Sequence, residues 1–219
     1  MNTTTRAFHM ASQMADELLD YGPARSRLLV RSMRLLARGQ PLDSEQIDEL
    51  IKDLEIGRDE ANQFLRQVTE RDASDRIVGI MGLSLNDHPH HFAVNGVPLR
   101  TWCAADTLFL PSMLRQSASV ESASPLSGAK IQVSVSPERV NTVSPAGAVV
   151  SIAIVSPSED QMASVDAIWN SFCRQIFFFA SAQEAEAWAA GRGDIEIVTV
   201  DEAFELGQRL WSRVLAYAD

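Results

Sequence analysis

Residues 91–114, HFAVNGVPLRTWCAADTLFLPSML, predict a β-hairpin that continues directly into an α-helix. Alternating segments flank Asn95-Gly96, and this dipeptide supplies the positive φ angles that a two-residue hairpin turn requires. The returning strand runs into Cys103, and apolar side chains at helical spacing follow over residues 104–114. Antiparallel strands joined to a helix in this way indicate an α+β fold.

The residues before this hairpin predict a helical unit followed by an extended wing. The wing is the apolar run 77–85, which is typical of strand. We therefore expect an N-terminal winged-helix-like region over residues 1–84 and a mixed α/β domain with short sheets over residues 85–219, which carries both cysteines. Three segments of the first region have helical spacing: 28–36, 44–54 and 61–71.

The second domain continues with strands and helices. Alternating or β-branched segments predict strands, and an aromatic run headed by Cys173 predicts one more. Ser181 and Glu184 form a capping box for a helix that continues through Trp188. The other predicted strands and the last helix are 130–136, 148–155, 195–200 and 202–218.

The charge of the chain argues against nucleic acid as a partner. The 219 residues include 19 basic and 29 acidic side chains, which gives a net charge of −10. The third predicted helix, which would enter a DNA groove, is about neutral, whereas groove binding favours a basic surface. A basic row on the first helix is typical of a solvated face: Arg27, Arg31, Arg34 and Arg38.

The amino-terminal residues lack the apolar core of a secretory signal, and no window approaches 18 uninterrupted apolar residues. We therefore expect a cytoplasmic protein with no membrane partner. The two cysteines, Cys103 and Cys173, lack the spacing of a zinc site, and thiols stay reduced in the cytosol. Neither GxGxxG nor GxxxxGK[ST] occurs, so no nucleotide cofactor is indicated.

The string Cys103-Ala104-Ala105-Asp106 places a thiol and a carboxyl at the start of the predicted helix. The positive end of the helix dipole favours the thiolate of Cys103, and Asp106 projects from the same face about 5–6 Å away between Cβ atoms. A carboxylate beside a thiol can accept its proton and deliver it elsewhere. Spacing alone leaves a simpler interpretation open, in which Cys103 fills the core and Asp106 complements the helix dipole.

Cys173 contributes to this chemistry only if the fold brings it close to Cys103. The aromatic residues next to Cys173 would then place its sulfur against an apolar wall. We interpret Phe177–Phe179 themselves as a strand of the core. Two thiolates and a carboxylate in an apolar pocket suit a soft metal such as mercury(II), and two bonds of about 2.3 Å require the sulfurs within roughly 5 Å. Three histidines near the start of a predicted, exposed strand resemble a metal-binding histidine cluster: His88, His90 and His91. No cysteine is near them in the sequence, so we assign them no metal.

Several segments, in order, resemble the organomercurial lyase (alkylmercury lyase) family. The most specific are W-C-A-x-D-T at residues 102–107 and S-F-C at residues 171–173. The resemblance implies that residues 85–219 form a catalytic domain and that the winged-helix-like region does not read DNA. Further matches, within a span of residues 26–215, are VSVSP at 133–137, PAG at 145–147, FFAS at 178–181 and EAFELGQ at 202–208.

The resemblance also implies a reaction. Cys103 and Cys173 would capture the mercury of R–Hg⁺, and Asp106 would move a proton to the leaving carbon, which gives a hydrocarbon and bound Hg(II). The resemblance implies no built-in cofactor. Small cellular thiols would deliver the organomercurials and support turnover. A mercuric reductase would accept the Hg(II). The alternative is a soft-metal protein that binds or chaperones Hg(II) or Cu(I) without breaking a carbon bond.

The chain departs from the family pattern at a few positions. A tyrosine common three residues before the first catalytic cysteine is here Arg100, which implies a different pocket shape or substrate preference. Some members carry a cysteine directly after the second catalytic one, where this chain has Arg174. Serines occupy the region in which members often have a third cysteine: Ser122, Ser124 and Ser127.

Overall fold

The computed structural model describes residues 3–218, with side chains from residue 6 onward. An all-helical start is followed by mixed strands and helices, so the α+β prediction is confirmed. The helices are α1 Thr3–Glu17, α2 Gly22–Leu36, α3 Ser44–Asp53, α4 Arg58–Val68, α5 Asp106–Leu114, α6 Val165–Ser171, α7 Ala182–Ala189, α8 Val200–Leu210 and α9 Ser212–Ala216. The strands are β1 Thr69–Arg71, β2 Ile77–Ile80, β3 Leu83–Ser84, β4 His90–Val94, β5 Val97–Thr101, β6 Ala118–Ala123, β7 Lys130–Val135, β8 Val140–Ser144, β9 Val149–Ala153, β10 Phe178–Phe179 and β11 Ile195–Thr199.

The larger sheet is antiparallel and has the strand order β1-β2-β3-β5-β4-β6-β7-β8. The predicted hairpin lies at its centre as β4 and β5, where Val94 pairs with Val97. Asn95 and Gly96 have φ angles of 50° and 78°, so the turn prediction is confirmed. Strand β5 ends at Thr101, which delivers the next residues to the interior of the molecule.

The smaller sheet is also antiparallel and has the order β10-β9-β11. Its central strand, β9, is buried along its whole length, as expected for a strand covered on both faces. This sheet carries the second cysteine segment, because a one-turn 3₁₀ helix at Cys173–Gln175 leads into β10.

Several predicted boundaries are wrong. The third predicted helix ends at Val68, since Thr69–Arg71 pairs with β2 instead. The wing at 77–85 is broken into β2 and β3 by a turn at Met81-Gly82, both of which have positive φ. The last predicted helix breaks at Trp211. Strands β6 and β8 are missing from the prediction. Strand β6 contains a single β-branched residue, and β8 is a short strand at the end of the sheet with no buried residue.

Helices from both ends of the chain share one apolar core with the larger sheet, and this core extends from Ala7 to Ala218. Helix α1 packs on α8, and α2 packs on α5 and α9. Strand β3 pairs with β5, so hydrogen bonds connect the two predicted domains. The winged-helix-like character of residues 1–84 and the boundary after residue 84 stay predictions. Within residues 3–218, no helix has both the length and the apolar composition that crossing a membrane requires.

Candidate functional site

Cys103 and Asp106 lie in the connection between β5 and α5. The Thr101 hydroxyl donates to the carbonyl oxygen of Cys103 at 3.0 Å, and the Cys103 N–H donates to Oδ2 of Asp106 at 2.7 Å. Asp106 is the first residue of α5, so the expectation that Cys103 belongs to the first helical turn is wrong. Turns over residues 102–105 precede the helix, and the Asp106 carboxyl holds the backbone of Cys103 there.

Cys173 reaches the same place from the other sheet. It lies in the 3₁₀ turn, and β10 begins only at Phe178, so the prediction of Cys173 at the head of a strand is wrong. The Ala104 N–H donates to the carbonyl oxygen of Ile176 at 3.2 Å. The two cysteine segments are therefore joined directly through their backbones.

A buried serine of β9 fixes the Cys173 segment. The Ser151 hydroxyl donates to the carbonyl oxygen of Gln175 at 2.7 Å and accepts from the Phe177 N–H at 3.0 Å. Sequence reasoning missed this residue, although a lone serine inside the apolar strand was a signal for it. A buried hydroxyl must find partners, and here those partners are the backbone next to Cys173.

The three predicted site residues converge. One ligand atom from each of Cys103, Asp106 and Cys173 lies within 4.8 Å of the others, which meets the sulfur separation required above. The side chains are buried, with 3%, 6% and 5% exposed, and the two thiols are not joined in a disulfide. Residues 70 positions apart in the sequence thus form one compact group of two sulfurs and a carboxyl.

This group borders a cavity of about 110 Å³ with an almost entirely apolar wall. Helix α1 contributes Met10 and Met14, α5 contributes Phe109, and the Cys173 segment contributes Phe172 and Ile176. Phe177, Phe178 and Phe179 are not among the lining residues. The interpretation as core strand is confirmed for Phe178 and Phe179, which form β10 and are buried, and is wrong for Phe177, which precedes the strand and is half-buried. Among the described lining residues, Asp106 is the only one with an acidic or basic side chain other than the two thiols. Its carboxyl therefore faces an apolar space.

Burial changes the acidity of all three groups. It raises the pKa of Asp106 to about 7, and it raises the pKa of the Cys103 thiol well above its ordinary value. The hydrogen bond with Cys103 lowers the pKa of Cys173, but burial and the nearby Asp106 raise it by more. The prediction that the helix dipole favours a Cys103 thiolate is therefore wrong, because burial raises the pKa of this thiol.

The three histidines take separate places. His88 Nε2 lies 3.0 Å from Oε1 of Glu70, and Nδ1 of His90 lies 2.7 Å from the Ser122 hydroxyl. The expectation of an exposed strand entry holds for His91 only, since His90 is buried in the sheet. Among the residues described, only Cys103, Asp106 and Cys173 form a group with the spacing of metal ligands. No histidine belongs to that group.

Arg100 and the other departures lie away from the cavity. Arg100 pairs with Asp87 at 3.3 Å on the sheet and does not line the cavity, so it does not shape that wall directly. Ser122 is the buried partner of His90, and Arg174 is exposed with its guanidinium 5.9 Å from the ring centre of Trp169.

Fold and site together define a protein that can hold a thiophilic metal atom between two thiols, with a carboxyl beside it in an apolar cavity. The sequence model of the family described as alkylmercury lyase matches residues 83–212 of the chain, which is more than half of its length. The chain belongs to the alkylmercury lyase family.

Its relatives agree with this assignment over nearly the full length. The alkylmercury lyase of Staphylococcus epidermidis is 35% identical over 208 residues, 92% of this chain and 90% of the relative. That of Streptomyces lividans is 35% identical over 215 residues, 96% and 95% of the two chains. A crystal structure of the mercury-bound form of MerB2 has a TM-score of 0.75 at 24% identity, and the match covers 94% of this chain and 99% of that one, which shows a shared fold.

Proposed function

We propose that this chain is an organomercurial lyase that cleaves the carbon–mercury bond of R–Hg⁺ by protonolysis to give a hydrocarbon and Hg(II). The observation that carries the proposal is the convergence of Cys103, Asp106 and Cys173 within 4.8 Å, in a member of the alkylmercury lyase family. Two sulfurs at this separation suit a soft metal atom, and the carboxyl lies within reach of a group bonded to it.

The proposed reaction starts from an organomercurial bound to a small external thiol. The Cys103 sulfur bonds to mercury, and the external thiolate departs with the Cys103 proton. The Cys173 sulfur then bonds to mercury and passes its proton to the Asp106 carboxylate. The carbon–mercury bond breaks, its electron pair stays on carbon, and carbon takes the proton from Asp106. Hg(II) remains bound to two thiolates.

The environment of Asp106 supports this role. A carboxyl whose pKa is about 7 exchanges its proton readily at neutral pH, which is the condition for efficient proton transfer in both directions. The apolar wall leaves the carboxyl as the acidic group beside the leaving carbon. The cavity of about 110 Å³ is of the same order as the ~150 Å³ cavity known to hold benzene, so it has room for a small organic group.

We further propose that the enzyme works with no built-in cofactor in the cytoplasm, receives organomercurials from cellular thiols and passes Hg(II) to a mercuric reductase. Thiol exchange suits buried cysteines that must release a tightly bound soft metal. We propose neither nucleic acid nor membrane as a partner, because α4 carries two basic and two acidic residues and the chain is acidic overall. The winged-helix-like region over residues 1–84 would then support the catalytic domain over residues 85–219 rather than read DNA.

The direct test is incubation with methylmercury and excess thiol, with methane measured in the gas phase. The wild-type protein should release methane, and Cys103→Ser should not, whereas Ser119→Ala, on the exposed face of β6, should behave as wild type. Absence of methane from the wild type, or undiminished release by Cys103→Ser, would contradict the proposal. Binding of Hg(II) or Cu(I) without methane would instead support the soft-metal binding or chaperone alternative.

A further inference from the structure

Two hairpin turns of the larger sheet have the same backbone conformation. In the turn between β2 and β3, Met81 and Gly82 have φ angles of 40° and 95°; between β4 and β5, Asn95 and Gly96 have 50° and 78°. Both turns therefore place a non-glycine residue and then a glycine in the left-handed region. A glycine is favoured at the second position of each turn for this conformational reason alone.

The surroundings of the two glycines differ completely. A Cβ atom on Gly82 would lie 2.6 Å from Cγ and 2.7 Å from Oδ1 of Asp106, closer than real Cβ contacts come. A Cβ atom on Gly96 would meet nothing within 4 Å. The first turn thus lies in contact with the Asp106 carboxyl, and the second faces open space.

Hydrogen bonds hold the first turn against the cysteine segment. The Met81 N–H donates to the Val68 carbonyl at 3.0 Å, and the Gly82 carbonyl accepts from the Trp102 N–H at 3.0 Å. Strand β3, which follows the turn, pairs Leu83 with Thr101 at the end of β5. The turn and the residue next to Cys103 therefore form one rigid unit, and Gly82 cannot move aside without breaking these bonds.

We propose that Gly82 is a positioning residue for the Asp106 carboxyl, an inference that rests on the proposed lyase function. Because Gly82 has no side chain, the carboxyl occupies the space beside the turn, with Oδ2 on the Cys103 N–H and Oδ1 against Gly82. The contact with the turn restricts movement of the carboxyl. Gly82 thereby keeps the proton donor directed at the carbon of a mercury atom bound by those thiols, and small displacements of such a donor are costly.

The test compares Gly82→Ala with Gly96→Ala, which carries the same backbone change at a glycine without neighbours. We expect Gly82→Ala to lower kcat for methane release on the order of 10²-fold. KM and the binding of Hg(II) by the two thiols should stay at wild-type values, and Gly96→Ala should keep wild-type kcat. In single-turnover reactions of Asp106→Asn, adding Gly82→Ala should cause no further loss, because a residue that acts through Asp106 has nothing left to position.

A stability measurement tests the same contact without turnover. Gly82→Ala should melt more than about 3 °C below Gly96→Ala. In an Asp106→Ala background, which removes Cγ and Oδ1 and leaves only the Cβ of residue 106 at 3.1 Å, the Tm difference between the two alanine substitutions should become smaller. If Gly82→Ala alone does not fold, recovery of the fold in Gly82→Ala/Asp106→Ala supports the contact. Equal kcat for the two glycine variants, or a stability loss that Asp106→Ala does not relieve, would overturn the proposal. A wild-type protein that releases no methane contradicts the lyase function instead, and the melting comparison still decides the contact.

Discussion

Asp106 combines two tasks in the site, since its carboxyl accepts the Cys103 N–H at 2.7 Å and lies within 4.8 Å of both sulfurs. The substitution Asp106→Asn separates these tasks, because an amide oxygen still accepts the N–H while the side chain no longer carries an acidic proton. We expect the variant to bind Hg(II) as the wild type does and to release methane roughly 10²–10⁴-fold more slowly. Normal turnover would remove Asp106 from the proton path.

The raised pKa of Asp106 also predicts a pH dependence of stability. Burial holds the carboxyl protonated in the folded protein up to about pH 7, whereas the ordinary pKa of an unfolded aspartate is near 3.9. Between these values the folded state binds more protons than the unfolded state, so the free energy of unfolding falls as the pH rises, by a total on the order of 4 kcal/mol. This loss is complete above about pH 7 and absent below about pH 4.

Asp106→Asn removes the titrating group, so its Tm relative to that of the wild type should rise between pH 4.5 and pH 8. Thermal unfolding at several pH values measures this difference, and Glu138→Gln, which removes an exposed carboxyl, is the control. A relative Tm that is constant with pH would show that the folded and unfolded states bind the Asp106 proton equally.

At the scale of secondary structure elements, the 3₁₀ turn that carries Cys173 depends on strand β9. Ser151→Ala removes both hydrogen bonds of the Ser151 hydroxyl, to the Gln175 carbonyl and from the Phe177 N–H, and leaves the bond from the Ser151 N–H to the Phe177 carbonyl. We expect a loss of about 1–3 kcal/mol in the free energy of unfolding. The looser segment should let iodoacetamide alkylate Cys173 faster than in the wild type, as measured by mass spectrometry of the labelled peptides.

Ser119→Ala is the matched control for this prediction, because Ser119 is an exposed serine on β6. Its labelling rate should equal that of the wild type. Equal rates of Cys173 labelling in Ser151→Ala and Ser119→Ala would mean that backbone hydrogen bonds, such as those from Ala104 to Ile176 and from Ser151 to Phe177, hold the segment without the Ser151 hydroxyl.

Some elements can be predicted from the sequence and others cannot. The difference is whether the interactions that fix the element are local or come from residues distant in the sequence. The hairpin at Asn95-Gly96 is predictable, because a local dipeptide sets its turn. The 3₁₀ turn at Cys173 is not, because its conformation depends on Ser151 and on the backbone of Ala104, both distant in the sequence. The role of Gly82 is equally hidden, since a positive φ angle can be anticipated from glycine but its contact with Asp106 cannot.

At the scale of the whole molecule, the chain contains only two cysteines, and both belong to the site. We therefore expect one Hg(II) per chain to resist competition by excess small thiols. Titration of free thiols in the denatured protein should give two before Hg(II) is added and none afterwards. Retention of a second Hg(II) per chain under competition would require ligands other than Cys103 and Cys173.

The shared core predicts how the molecule unfolds. Ala7 and Ala218 belong to one cluster, α1 packs on α8, and β3 pairs with β5 across the predicted boundary after residue 84. Because neither part can separate without exposing this core, we expect a single transition in urea, as is typical when all elements share one hydrophobic core. The cavity is built from both parts as well, with Met10 and Met14 on one side and Cys103 on the other.

Two probes test this prediction. Circular dichroism follows all helices, and tryptophan fluorescence follows residues 102–211, which contain all four tryptophans. Two of these, Trp102 and Trp211, line the cavity. The urea midpoints of the two probes should coincide, and saturation with Hg(II) should move both midpoints upward together, because a ligand that binds only the folded state stabilises the whole cooperative unit. Separate midpoints, with Hg(II) shifting only one of them, would show instead that residues 1–84 fold independently of the domain that holds the thiols.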